Sequence, residues 1–295
     1  AAGKARHALF DAGLHQQVTD RVRLEGELRR AVEAGHLSVA YQPLFNLASG
    51  KLTGFEALAR WQHPVQGLIS PAVFIPIAEE TALIGPLTDF ILDSACRQLK
   101  LWQSRRAAFA GLSIQVNVSG NDIAHSAFAQ RVTRAIVAAR LQPNHLTLEL
   151  TENVLMDRVD GAVDTLTRLR DLGVGLSIDD FGTGYSSLSY LSTLPIDSLK
   201  IDASFVRGMR NGSKEAEVVR AIVTLGASLG KSVIAEGIET ESQFDQLRGM
   251  GCESGQGYHL SRPLAVENVE LLLDRIETER WTVQHGQAPR PVLHH

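Results

Sequence analysis

Eight short, apolar, β-rich runs alternate with segments of helical spacing along most of the 295 residues. That rhythm predicts an α/β fold, a modified TIM (β/α)8 barrel with one antiparallel strand. Size agrees, because such barrels occupy about 250 residues. The third observation concerns the first two runs, Ser38–Pro43 and Leu52–Trp61. Only NLASGK separates them, far too little for a crossover helix, which takes a dozen residues or more. They are expected to form a hairpin that reverses one strand. Rhythm does not fix strand order, and a doubly wound open sheet satisfies the same alternation.

Taken in order, the first 20 residues read as peripheral. A helix follows, with Leu24, Leu28 and Val32 recurring on one face and Gly35 placed to end it. After the hairpin come candidate strands Ser113–Val118, Leu146–Glu149, Gly175–Asp179, Ser198–Ile201, Ser232–Glu236 and Gly255–Leu260. Helical stripes lie between: Ile91, Ala95, Leu99 and Trp102; Phe128, Val132, Ile136 and Ala139; Val218, Ile222, Leu225 and Leu229. Gly173 is placed to close a helix, and Thr240 with Gln243 fits a capping box that opens another. Residues 281–295, WTVQHGQAPRPVLHH, are polar and aperiodic and read as a tail.

Composition narrows the function. The chain is 44% hydrophobic and 21% charged with a net charge of −4, a balance that argues against extensive disorder and against bulk attraction to nucleic acid or anionic membrane. No apolar run reaches the roughly 18–20 residues needed to cross a bilayer. The N-terminus lacks a secretory apolar region. Two cysteines, Cys96 and Cys252, are too few for a disulfide scaffold, and a reduced, cytoplasmic setting is expected.

Polar residues recur at the ends of the apolar strands: Glu56, Asn117, Glu149, Asp179, Asp180, Lys200, Glu236 and Gln256. Each alone has an ordinary explanation as a rim ion pair or a turn cap. Together they would need that explanation on six strands at once. In a barrel, the C-terminal ends of the parallel strands meet on one face, where active sites lie. Carboxylates brought so close repel one another unless cations neutralise them. Oxygen donors with an Asn carbonyl suit Mg²⁺ or Mn²⁺ rather than zinc, and the adjacent aspartates invite two ions of the kind used at phosphoryl centres. Lys200 would be their electrostatic partner. His63 and His259 could line the same cleft but read better as structural. The glycines of DDFGTGYSS permit close approach to an anion or loop movement.

The runs YQPLFNLASGKLTGFEALARWQHPVQGLISPAVFIPIAEE, VNVSG, LELTEN, DDFGTGYSSLSYL, LPIDSLKID, AEGIET and GCESGQGYHLSRPL resemble EAL-domain cyclic-di-GMP phosphodiesterases. The likeness covers roughly residues 21–280. It implies hydrolysis of cyclic-di-GMP to linear pGpG with two Mg²⁺ or Mn²⁺ ions, and inhibition by Ca²⁺. By that resemblance Glu56, Asn117, Glu149 and Asp179 bind the first ion, Asp179 bridges, Asp180 holds the second, and Glu236 sits at or beside it. Lys200 orients the attacking water. Glu152 tethers the DDFGTGYSS loop and Glu239 gives support at the substrate side, while Gln42, Arg60 and Gln256 contact substrate. Ala59 stands where the family more often has Leu. The family further implies a possible homodimer. The first 20 residues look like the end of a GGDEF domain, so that upstream domains would belong to a full-length GGDEF–EAL protein, which could be membrane-tethered.

Two rival functions remain at this level. A binding module would capture the dinucleotide without turnover and would need no metal ligands. A barrel glycosidase would use paired carboxylates and survive a chelator, but leaves Asn117, Asp180 and Lys200 without a role.

Overall fold

The computed structural model describes residues 12–157, 159–184, 191 and 193–279. The chain divides into two compact units, Ala1–Ser38 with Arg60–Leu87, and Val39–Ala59 with Thr88–His295.

The smaller unit opens with helix α1 (Ala12–Ala34). It ends as expected at Gly35, whose φ is +74°, with His36 N–H closing onto the Ala31 carbonyl. The helix runs through positions 20 and 21 without interruption. Among its described side chains, Leu28 and Ala31 are buried. Strand β1 (Leu37–Asn46) begins in this unit, and β2 (Leu52–His63) ends in it. The end of β2 folds back on β3 (Gly67–Ile69), pairing Trp61 with Ile69 and His63 with Gly67. Sequence reasoning missed this short hairpin. Helix α2 (Pro71–Glu80) follows, with proline at its first position. Phe74 of α2 meets the edge of Trp61 at 5.9 Å between ring centroids. His63 is spent here as a structural residue. Its Nε2 lies 3.2 Å from Glu27, and its Nδ1 accepts the Val65 and Gln66 N–H groups.

The larger unit is the barrel. Its remaining strands are β4 (Ser113–Asn117), β5 (Leu146–Thr151), β6 (Gly175–Phe181), β7 (Ser198–Ile201), β8 (Ser232–Ala235) and β9 (Ser254–Gly255). Neighbours run β1-β9-β8-β7-β6-β5-β4-β2, and a β1–β2 pairing closes the ring. Every pairing from β2 and β4 round to β8 and β9 is parallel, whereas β1 runs antiparallel to β9. The barrel therefore has the expected reversed strand, and the open-sheet alternative is dismissed. Parallel register aligns Asn117 with Glu149 and Thr151 with Asp179, so their strand ends come level.

Helices α3 (Ile84–Arg105), α4 (Gly120–Ala124), α5 (Phe128–Ala139), α6 (Glu152–Asp157), α7 (Val159–Asp171), α8 (Ala203–Gly208), α9 (Lys214–Ser228), α10 (Glu241–Gly249) and α11 (Val266–Glu279) connect or flank the strands. The stripes predicted on α3 and α5 are buried throughout. On α9 the phase differs. Val218 is exposed, and Val219, Ile222, Val223 and Gly226 form the inner face. Thr240 and Gln243 form the reciprocal capping box at α10, and Gly173, with φ +87°, follows α7. The last strand is shorter than predicted. It stops at Gly255, and Gln256 enters a turn in which its N–H still bonds the Ala235 carbonyl. Likewise β8 stops at Ala235, one residue before Glu236.

Cys96 and Cys252 are both buried and free. No helix among the described residues is long and apolar enough to cross a membrane. Residues 1–11 and the tail 281–295 lie outside the described residues.

Candidate active site

Lys200 is the centre of the strand-end cluster. Its side chain, carried by β7, is 0% exposed. A buried ammonium is costly unless acids surround it, and here they come from four directions. Nζ lies 2.6 Å from Glu236, 2.9 Å from Glu149 on β5, 3.3 Å from Asp179 on β6 and 3.6 Å from Glu56 on β2. These contacts are ionic rather than directed. Nζ is aligned with no acceptor in hydrogen-bond geometry, and neither buried oxygen of Glu149 faces an aligned donor.

Amide side chains hold the acids in place. Asn117 Nδ2 donates to Glu56 Oε1 at 2.6 Å. Gln256 Nε2 donates to Glu56 Oε2 at 2.6 Å and to Glu236 Oε1 at 3.0 Å. Burial alone would raise the Glu56 carboxyl, but Lys200 and the two amides outweigh it and keep its pKa below the usual carboxylate value. Glu149 has no such donors, so burial carries its pKa well above the usual range, helped by Glu56, Asp179 and Glu236. Glu236 is pushed up to about 8, by burial first and then by Asp179 and Glu56. The same ring of acids raises Lys200 despite its burial.

The Asp179–Asp180 pair sits where β6 loses register with β7, between Ile178 and Phe181. An irregularity of this kind re-aims side chains at the end of a strand. Asp180 adopts φ +54°, a left-handed conformation that Asp tolerates better than most residues. Its N–H turns back onto Asp179 Oδ1 at 3.0 Å. Half-buried beside Asp179 and Asp202, its carboxyl rises to about 6, with burial the largest cause. Oxygens of Asp179, Asp180 and Glu236 lie within 4.8 Å of one another. That clustering, with two orphaned Glu149 oxygens beside it, is a donor set fitted to a hard divalent cation.

A cavity of about 360 Å³ opens over the cluster, lined by Gln42, Glu56, Asp179, Glu236, Glu239 and Gln256, among others. That volume suits a small ligand. Gln42 Nε2 donates to the Ser261 carbonyl at 3.4 Å. Glu239 is exposed at the rim, its N–H held by Gln243 Oε1 at 2.7 Å. Glu152, buried at the start of α6, accepts the Gly182 and Gly184 N–H groups at 2.9 and 3.3 Å. The rest of the DDFGTGYSS run, 185–187, lies outside the described residues. His259 packs near Phe244, 6.3 Å between ring centroids. Arg60 belongs to the smaller unit, half-buried there, and its expected substrate contact rests on the motif alone. Sequence reasoning missed Asp202, Ala203, Arg207 and Tyr258, the last three of which line the cavity. For Asp202 a signal existed, since it too is an acid immediately after an apolar strand.

The sequence matches the EAL domain family over residues 25–263. The chain belongs to the EAL domain family. Its relatives in Pseudomonas aeruginosa include the bifunctional diguanylate cyclase/cyclic di-GMP phosphodiesterase MucR, 41% identical over 90% of this chain. The cyclic di-GMP phosphodiesterase NbdA, from the same organism, is 40% identical over 92%. The chain spans 39% of the length of MucR and 35% of NbdA. Among solved structures, a MucR phosphodiesterase–c-di-GMP complex is 44% identical with a TM-score of 0.80, covering 84% of this chain and 99% of that one. The EAL enzyme Bd1971, bound to cAMP and cyclic-di-GMP, is 35% identical with a TM-score of 0.84, covering 88% and 71%. EAL membership and the eight-stranded barrel thus agree.

Proposed function

We propose that this EAL domain is a metal-dependent phosphodiesterase that hydrolyses cyclic-di-GMP to linear pGpG. The observation that carries the reading is the ring of Glu56, Glu149, Asp179 and Glu236 around one sealed lysine, beneath a cavity of small-ligand size. Relatives that bear the activity in their names, and the MucR complex with the dinucleotide, support the choice of substrate.

Two Mg²⁺ or Mn²⁺ ions would be held by Glu56, Asn117, Glu149, Asp179, Asp180 and Glu236. When bound, such ions activate water and neutralise charge on the phosphoryl group. The chain's own residues do the rest. Asn117 and Gln256 fix the Glu56 carboxylate from both sides, so its oxygens are pre-oriented and costly to move. Glu236 is held by Gln256 Nε2 at 3.0 Å, which orients it toward the cluster. Lys200 supplies fixed positive charge at the cluster and orients the attacking water. The water oxygen bonds to phosphorus as the bond to the 3′ oxygen breaks, leaving a 5′-phosphate and a free 3′-hydroxyl. Gln42 and Gln256, which line the cavity, would contact substrate, with Glu239 giving support at its side. Glu152 braces the loop after the aspartates.

Residues 1–20 as the end of a GGDEF domain belong to the same proposal, supported by a relative named as bifunctional and by the short span of the match. The test is anion-exchange separation of nucleotides after incubation of cyclic-di-GMP with Mg²⁺, Mn²⁺ or Ca²⁺. Conversion to pGpG is expected with the first two and suppression with Ca²⁺. Dinucleotide that binds but stays intact with every ion would make the domain a receptor.

A further inference from the structure

We infer that Arg207 binds the phosphodiester of the cyclic dinucleotide that is not cut. The inference rests on the function proposed above and deepens it. A cyclic dinucleotide carries two anionic diesters. The acidic cluster, loaded with cations, accounts for one of them. The other must lie elsewhere in a cavity whose lining includes Glu56, Asp179, Glu236 and Glu239, and an anion placed among carboxylates needs a counter-charge. Lys200 is sealed beneath the floor at 0% exposure and is committed to the acids. Among the described residues, Arg207 is the basic residue on the cavity lining.

Its position is set by the chain that follows β7. Asp202 caps helix α8 by accepting the Ser204 N–H at 3.0 Å, which starts the helix at the cavity edge. Ala203 and Arg207 are one turn apart and both line the cavity. Arg207 Nε donates to the Ala203 carbonyl at 3.3 Å, so the stem of the side chain follows that face. The wall around it is made of small residues. A Cβ on Gly237 would stand 2.6 Å from the Ala203 Cβ, so neither position has room for a larger side chain. Space on this side of the cavity is left to the exposed guanidinium.

Its ionic state separates Arg207 from other arginines. Arg21, Arg105, Arg106, Arg131 and Arg248 each meet an acid within 4.0 Å. Among the described residues, Arg207 meets none, and Nε alone has a hydrogen-bond acceptor. Both terminal nitrogens of the fork are left for a ligand. A guanidinium offers two parallel N–H groups that match the non-bridging oxygens of a phosphodiester, a bidentate contact that an ammonium does not reproduce.

The test compares wild type, Arg207→Ala and Arg207→Lys on cyclic-di-GMP and on bis(p-nitrophenyl) phosphate, a diester with a single phosphate. Dinucleotide affinity is measured separately by calorimetry in Ca²⁺. Arg207→Ala should raise the KM for cyclic-di-GMP about tenfold with kcat within threefold. Its Kd should rise in parallel, and the preference for the dinucleotide over the small diester should fall about tenfold. Arg207→Lys should recover part of each loss. A KM and Kd within twofold of wild type in Arg207→Ala, or an equal loss on both substrates, would overturn the inference. Wild type that binds without turnover would sink the phosphodiesterase reading alone, because the Kd comparison still decides Arg207. Wild type that neither binds nor cleaves the dinucleotide would sink both.

Discussion

Lys200 Nζ stands 2.9 Å from Glu149 Oε2, and both side chains are closed to solvent. Lys200 also serves Glu56, Asp179 and Glu236, so its removal would leave a buried ring of acids without its counter-charge in a low-dielectric site. Lys200→Met is expected to cost about 3 kcal/mol of stability in chelator, and added Mn²⁺ should restore most of it by replacing the lost positive charge. Thermal unfolding with EDTA and with Mn²⁺ measures both quantities. The kcat of the variant should fall about a hundredfold or more, with a smaller change in KM. Equal losses in kcat and affinity would deny Lys200 a part in the chemical step.

Stability of the metal-free protein should fall as pH rises. Glu236 is raised to about 8, and Glu149 is raised too. The folded state therefore keeps protons that the unfolded chain releases above its ordinary carboxylate pKa. This contribution is complete below about pH 4.5 and is lost as pH climbs through about 8. Glu56 is lowered, so its opposite contribution changes only in the acid range. In EDTA, the melting temperature should decline from pH 6 to pH 9, and divalent cations should flatten the profile by holding the ionised carboxylates. A melting profile indifferent to the ion would count against cation binding at the cluster.

Glu56→Gln keeps an acceptor for Asn117 but removes the charge. Its Mn²⁺ affinity should drop at least tenfold and its turnover at least a thousandfold, while the protein folds. Calorimetric titration with Mn²⁺ and a nucleotide assay provide the check.

Glu152 serves two backbone N–H groups, those of Gly182 and Gly184. Glu152→Ala should cost about 1 kcal/mol or slightly more and lower kcat/KM about tenfold. Glu152→Gln, which retains a carbonyl acceptor, should recover most of both. Activity unchanged in the alanine variant would remove the bracing role.

Cys96 and Cys252 are both raised to about 12, each chiefly by burial. At pH 8 almost no thiolate exists, so neither should react with a disulfide reagent until the protein unfolds. Rapid native labelling at either position would contradict their enclosure.

The barrel, its reversed strand and most of its strand-end residues were legible in the sequence, because period and loop length are local signals. Residues that face a common point carried the rest. Glu56, Glu149, Asp179, Lys200 and Glu236 each interrupt an apolar run at its end, and strand ends are where a barrel converges. What failed depended on neighbours that no local pattern encodes. Val218 and Val219 are equally apolar, and packing alone turned the second inward. Gly255–Leu260 reads as a strand, but only two residues pair before the chain turns. The hairpin of β3 is three residues long, too short for periodicity to register. Arg207 looks like any helical surface arginine until β7 and the Gly237 turn place it over the cavity.

The bond from Gln256 to Glu56 ties together residues 200 positions apart. During synthesis, residue 56 leaves the ribosome long before residue 256 is made, so this brace cannot exist on a growing polypeptide. Under the function proposed above, competence would wait for the finished ring, and a translation product that stops short of the final turn would lack the brace that holds Glu56.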